Sequence, residues 1–149
     1  MKLKDKVAIV TGGTSGIGKA VVTLFAKEGA KVIFAGRNMK RGEETELAIK
    51  STGGVGKFVK ADVTKSSDTE GLVAEAVKEY GGLDILHNNA GIYILGSATD
   101  LSEEDWDKTF QTNIRGYFLC AKFAIREMMR NPPERGGIII QTSSISGLV

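Results

Sequence analysis

The sequence predicts an α/β protein built on a doubly wound parallel sheet, and three observations lead there. Short apolar runs alternate with longer amphipathic stretches from one end of the chain to the other. The first run, Val7-Ala8-Ile9-Val10, is apolar at every position, as a strand covered on both faces must be. Glycine and polar residues gather just after each run, at the strand ends where open parallel sheets hold their ligands.

Each element can be justified in turn. After the first strand, Gly12, Gly13, Gly16 and Gly18 make a turn that runs into a helix. Ile17, Ala20, Val21, Leu24 and Phe25 supply that helix with an apolar stripe, and Gly29 sits where a C-terminal cap belongs. Lys31 to Ala35 reads as a second strand, followed by Gly36-Arg37-Asn38. A helix from Met39 to Ile49 returns through Gly53, Gly54 and Gly56 to a third strand, Lys57 to Ala61, which ends at Asp62-Val63-Thr64. The stretch from Ser66 to Tyr80 is amphipathic, with Leu72, Val73, Ala76, Val77 and Tyr80 on one face, and Gly81-Gly82 stops it. Leu83 to His87 forms a fourth strand leading into Asn88-Asn89-Ala90-Gly91. Ser102 is an N-cap with acids in the turn after it. One helix is then expected as far as Met129, its stripe running through Trp106, Phe110, Ile114, Tyr117, Ala121, Ile125 and Met128. Asn131-Pro132-Pro133 stops that helix, and Gly137 to Thr142 is the fifth strand.

Composition narrows the class. The 149 residues suit one domain, and 42% hydrophobic with 26% charged residues is ordinary globular usage. A net charge of +2 gives no ground for nucleic acid or an acidic membrane surface as a partner. The single Cys120 cannot close an internal disulfide, and the start MKLKDKVAIV lacks the apolar core of a signal peptide. These features point to a cytoplasmic protein that engages no membrane and no nucleic acid. No metal site is expected.

The opening strand, turn and helix form an anion site, because unpaired backbone N–H groups and the positive end of the helix dipole face whatever lies over the turn. Two phosphate-binding designs compete. Gly13 to Ala20 fits the triphosphate loop G-x-x-x-x-G-K except at Ala20, which has no oxygen for Mg²⁺. The spacing Gly12-x-x-x-Gly16-x-Gly18 suits a dinucleotide turn, and a plain glycine turn is the bland alternative. Asp62 could merely cap a turn, and Arg37 could be a solvated loop charge.

Thr11-Gly12-x-x-x-Gly16-Ile17-Gly18, Asp62-Val63, Asn88-Asn89-Ala90-Gly91, Asn113 and Ser144-Ile145-Ser146-Gly147 occur in that order, and together they resemble the N-terminal part of a short-chain dehydrogenase/reductase. The resemblance implies a Rossmann-type fold, here truncated after the fifth strand as a single incomplete domain. It also implies hydride transfer between a nicotinamide cofactor and a small carbonyl or alcohol substrate, with homo-oligomers in the full-length protein. Carried onto this chain, the cofactor-binding positions are Gly12, Thr14, Ser15, Gly16, Ile17, Gly18, Arg37, Asn38, Asp62, Val63, Asn89, Ala90 and Gly91. Asn113 and Ser144 match the catalytic asparagine and serine. Asn88 is expected to hold backbone between strands, Cys120 to lie in the core, and His87 to be a satisfied buried side chain where relatives carry an aliphatic residue.

Cofactor choice is read at the end of the second strand. NAD-specific relatives carry a carboxylate there, whereas this chain has Gly36 followed by Arg37, whose guanidinium suits a ribose 2′-phosphate. The reading favours NADP(H), with NAD(H) left open by Ser15, where many NADP-dependent relatives have a base. The family's proton carrier is a tyrosine whose pKa is lowered by a lysine four positions on. No Tyr-x-x-x-Lys occurs in this sequence, and Tyr117 and Lys122 lie five apart, about 140° round a helix. A non-catalytic dinucleotide-binding or interaction module is therefore the second reading. The fifth strand is expected to present an exposed apolar edge.

Overall fold

A computed structural model describes residues 1–145; Ser146 and Gly147 of the serine motif lie outside the described residues. Five parallel strands, β1 (Val7–Thr11), β2 (Lys31–Gly36), β3 (Val55–Lys60), β4 (Ile85–Asn88) and β5 (Ile138–Gln141), pair in the order β3-β2-β1-β4-β5. The chain steps outward from β1 through β2 to β3, then crosses back to the other side of β1 for β4 and β5. That reversal makes the doubly wound sheet, with its switch point between β1 and β4.

Helices cover both faces. Val22 and Ala26 of α1 (Gly16–Lys27) and Ile49 of α2 (Met39–Ser51) pack with Val10, Val32 and Phe34 in one core. On the other face, Leu72, Val73 and Ala76 of α3 (Ser66–Tyr80) join Cys120, Phe123, Ala124 and Met128 of α5 (Gly116–Met128) over Ile9, Ile33 and Leu86. The apolar runs are strands because alternate side chains enter opposite cores.

Two helix stripes differ from the sequence expectation. On α1 the fully buried residues are Gly18, Val22 and Ala26, whereas Ile17 and Leu24 are exposed. Small residues let the helix lie close against the sheet, and a search for large apolar side chains misses them. The expected single helix from Glu103 to Met129 is α4 (Glu103–Phe110), a π-helical turn (Gln111–Arg115) and α5. Trp106 and Phe110 on α4 and Ile114 in the turn are exposed; beyond it the wider turn shifts the helical phase, so Ile125 is exposed while Gly116, Leu119, Cys120 and Phe123 are buried beside the expected Met128. Ser102 caps α4 as expected, accepting from the Asp105 amide at 3.1 Å. β3 begins two residues earlier than expected, at Val55. Gly56 is a strand residue because its missing side chain leaves room for Ile49, whose Cδ1 would lie 3.0 Å from a Cβ. β4 begins later than expected, at Ile85. The Asp84 carboxylate before it accepts from the Val7 amide at 2.8 Å and pairs with Arg135 at 2.8 Å, pinning β1 to the β5 loop.

Ile138 and Ile140 on β5 are exposed, as the edge-strand expectation had it. Among the described residues no helix is long and apolar enough to cross a membrane.

Candidate functional site

The β1–α1 turn can close only with glycine at its tightest points. Gly12 has φ +67°, and a Cβ there would stand 2.9 Å from the Ala90 Cα. At Gly18 a Cβ would fall 2.1 Å from the Gly12 carbonyl oxygen, so the helix start packs directly on the turn's backbone. Ser15 occupies the N-cap without a side-chain cap, and the first turn of α1 contains no acid. The helix therefore presents its N–H groups and positive end with no protein anion in the way.

Above this turn lies a cavity of about 390 Å³ across the carboxyl ends of the strands. It is walled by Gly12, Thr14, Ser15, Gly16 and Ile17 from the turn, Ala35, Gly36 and Arg37 at the end of β2 and just beyond it, Ala61, Asp62 and Val63 after β3, and Asn89 to Ile92 after β4. Thr112 of the π turn and Thr142 after β5 complete the wall. Eleven of the thirteen residues expected to hold a cofactor thus meet in one place: Gly12, Thr14, Ser15, Gly16, Ile17, Arg37, Asp62, Val63, Asn89, Ala90 and Gly91. The other two lie apart from the lining. Gly18 is buried beneath the turn, and the Asn38 side chain caps α2 by accepting from the Arg41 amide at 3.0 Å.

The strand ends are locked to one another. The Thr11 hydroxyl oxygen accepts from the Asn89 and Ala90 amides at 3.0 Å each, tying β1 to the loop after β4. Asp62 both caps its turn and faces the cavity: its carboxylate accepts from the Thr64 amide at 3.0 Å and hydroxyl at 2.8 Å. Burial works to raise its pKa, but those bonds, followed by the charges of Arg37 and Lys65, carry it below the usual carboxylate value. Arg37 is exposed and makes no side-chain hydrogen bond or ion pair among the described residues.

Asn113 lies in the π turn, where its carboxamide accepts from the Ile92 amide at 2.9 Å and donates to the Ile92 carbonyl at 2.8 Å. This paired clamp fixes the loop after β4 beside the cavity, although Asn113 itself does not line it. Asn88 donates to the Tyr117 carbonyl at 3.2 Å, so it bonds backbone as expected, but ties β4 to α5 rather than to a neighbouring strand. Ser144 is exposed just beyond β5 and is not part of the cavity wall. Cys120 is buried in the core, its thiol pushed up to about 12 by burial. Ala35, Gly36, Ala61, Ile92, Thr112 and Thr142 are wall residues that the sequence reading did not assign to the site. Gly36 had been singled out only as an absent acid, and nothing local marks the other five.

An open parallel sheet, wound both ways from β1 with a glycine-turn cavity at its switch point, defines a Rossmann-type α/β protein. More narrowly, the chain belongs to the short-chain dehydrogenase/reductase family: the short chain dehydrogenase family model matches residues 6–149. An uncharacterized oxidoreductase of Thermotoga maritima is 43% identical over 149 residues, covering 100% of this chain and 57% of the relative. A 3beta-hydroxysteroid dehydrogenase of Mediterraneibacter gnavus is 37% identical, covering 99% of this chain and 52% of its own length. A short-chain dehydrogenase/reductase from Serratia marcescens superposes with a TM-score of 0.89 at 38% identity, over 97% of this chain and 57% of that one. The chain thus spans rather more than half the length of these relatives. The family's members are oxidoreductases that use nicotinamide cofactors.

Proposed function

We propose that this chain provides the cofactor-binding part of a short-chain dehydrogenase/reductase that interconverts a small alcohol and its carbonyl compound, with NADP(H) preferred over NAD(H). The carrying observation is the strand-end cavity, built on a turn that has no room for a side chain at Gly12 or Gly18. A diphosphate fits a cradle of bare amides at a helix N-terminus that no side chain caps. When bound, the nicotinamide cofactor supplies the hydride acceptor or donor.

The chain's own residues bind and orient. Gly12, Thr14, Ser15, Gly16 and Ile17 surround the diphosphate, with Gly18 beneath them to let the helix approach. Asp62 and Val63 face the adenine side, and Asn89, Ala90 and Gly91 form the wall beside the second ribose. Arg37, followed by the α2 cap Asn38, offers paired donors to a ribose 2′-phosphate. Asn113 and Ser144 are assigned to the catalytic end. The serine hydroxyl holds the substrate oxygen, and the asparagine fixes the loop at Ile92 and supports proton movement.

Proton transfer needs a further acid–base group, because no tyrosine in the sequence has a lysine four positions on. Residues 1–149 alone are therefore expected to bind dinucleotide weakly and to turn nothing over, since loss of a positioned acid–base group costs about 10²–10⁴ in rate. The exposed face carrying Trp106, Phe110 and Ile114 fits association into homo-oligomers, and a cytoplasmic setting fits the lone buried thiol.

Fluorescence titration of purified protein with NADPH and NADH, alongside a carbonyl-reduction assay, tests the reading. The expected result is saturable binding, tighter for NADPH, without turnover. No binding of either nucleotide would refute the cofactor assignment, and robust reduction would refute the missing-acid argument. In the latter case Ser144→Ala should still abolish activity.

A further inference from the structure

We infer that His87 is a positioning residue of this cavity: it anchors a strut, through Thr142 and Asn89, that holds the phosphate-binding glycine turn in place. The inference rests on the cofactor reading above and adds to it a residue outside the cavity wall.

His87 lies on β4 between Val10 of β1 and Ile140 of β5, and it is 6% exposed. Its Nε2 stands 2.9 Å from the Thr142 hydroxyl oxygen. That hydroxyl lies 3.3 Å from the Asn89 side-chain oxygen, and the Asn89 amide nitrogen donates to the Thr11 carbonyl at 3.2 Å. The same amide nitrogen would be 3.1 Å from a Cβ on Gly12 and 2.6 Å from one on Gly18. Asn89 is therefore wedged against both glycines at which the turn is tightest, and the strut runs from β4 by way of β5 to the phosphate cradle.

The direction of each bond follows from the chemistry of the groups. Asn89 gives its N–H to the Thr11 carbonyl, so its oxygen faces Thr142 and requires a donor. The Thr142 hydroxyl has one proton, and Asn89 uses it. Thr142 must then accept from His87, which fixes the imidazole as the neutral tautomer protonated at Nε2. Burial lowers the imidazole pKa and favours that neutral form. The corollary is visible on the other ring nitrogen. Nδ1 is buried and has no partner among the described residues. A hydrocarbon side chain would leave no such bare acceptor, so the histidine costs stability in its own strand and returns it as a fixed Thr142 rotor.

This predicts a separation between folding and binding that a packing role would not produce. His87→Leu removes the orphaned acceptor and should leave Tm unchanged or raise it. It should also weaken NADPH binding roughly threefold to tenfold, the worth of one buried neutral hydrogen bond. Thr142→Val should weaken binding to a similar degree, and the double variant should bind no worse than Thr142→Val alone. His87→Gln, which carries an N–H donor at a comparable reach, should recover most of the affinity. Nitrogen NMR of the imidazole should show a protonated Nε2 and a bare Nδ1.

Wild-type affinity in His87→Leu, an additive double variant, or an Nδ1–H tautomer would overturn the strut while leaving the cofactor reading intact. A fall in affinity matched by an equal fall in Tm and not restored by glutamine would overturn it too. Wild-type protein that binds no NADPH would remove the cofactor reading and the strut together.

Discussion

Replacing Arg37 with alanine tests the choice between the two nicotinamide cofactors. The guanidinium stands at the cavity wall immediately after β2, exposed and engaged by no carboxylate through a hydrogen bond or ion pair among the described residues. It need not abandon a partner to take a ligand, so the full worth of a new charge-assisted bond is available. Such bonds contribute about 1.5–3 kcal/mol each. Loss of one predicts roughly a tenfold to hundredfold weaker grip on NADPH, with NADH binding changed by less than about threefold. The NADPH preference should also fall as salt rises, because an exposed pair is screened over about 10 Å at 0.1 M. Arg37→Asp should go further and turn the preference towards NADH, since a carboxylate repels the 2′-phosphate and can accept from the 2′-hydroxyl. Moving the acid one position back is a sharper test. At Gly36 a Cβ would lie 2.6 Å from Thr14 Cγ2 and 2.8 Å from its hydroxyl oxygen, so Gly36→Asp alone should weaken both nucleotides by displacing the turn. Pairing it with Thr14→Ala removes the two closest atoms and should restore NADH but not NADPH. Fluorescence titrations with both nucleotides at two salt concentrations read all of these outcomes. An unchanged NADPH-to-NADH ratio in Arg37→Ala would refute the reasoning.

Three further tests bear on the fold and the turn. Gly16→Ala, at φ +50° with nothing within 4 Å of its Cβ, should cost only the backbone strain of about 1–2 kcal/mol, whereas Gly12→Ala should cost more and abolish NADPH binding; thermal melts beside titrations compare them. Asp84→Asn should lower stability at pH 7 by about 1–2 kcal/mol, because it leaves the partly exposed Arg135 and the Val7 amide facing a neutral group. Burial works to raise the Asp84 pKa, yet Arg135, the Val7 amide and Lys6 bring the folded value below normal. Its contribution is thus present above about pH 4 and lost as pH falls through the lower folded value, so acid melts of the variant should fall less steeply there. Cys120, with a thiol pushed up to about 12, should react with a thiol reagent at pH 8 only at the rate of unfolding; fast labelling of native protein would contradict its burial.

The fold was legible because strand and turn signals are local. Val7 to Val10 is apolar throughout, and glycines stand wherever the chain must turn sharply, so the strands and the glycine turn could be placed from the sequence alone. The helix faces were less legible, because hydrophobic size is a poor guide where the contact is close. Gly18, Ala26, Gly116 and Ala124 meet the sheet or its loops, and larger neighbours such as Ile17 and Ile114 face outward. The π turn compounds this. One residue beyond the regular helical repeat moves every later side chain round the axis, and no residue type announces it.

The candidate site divides the same way. Residues that touch a ligand through the backbone fall in short motifs, since glycine and the turn-formers have few other reasons to cluster. Residues that act by holding other residues do not. Thr142 and Asn89 are 53 positions apart and His87 and Thr142 are 55, and only the β1-β4-β5 order brings them together. Asn113 shows the intermediate case: its place in a motif drew attention to it, but its grip on the Ile92 backbone depends on the π turn that carries it. The glycine turn is thus held from three sides: by Phe34 and Val22 packed against Gly13, by Thr11 bonded to the β4 loop, and by the Asn89 wedge. A cradle of bare amides has no side chains with which to define its own shape, so its geometry must be imposed by neighbours. Changes at Thr11, Asn89, Thr142 or His87 should therefore weaken the nucleotide binding proposed for the turn, though by less than a side chain placed at Gly12 itself.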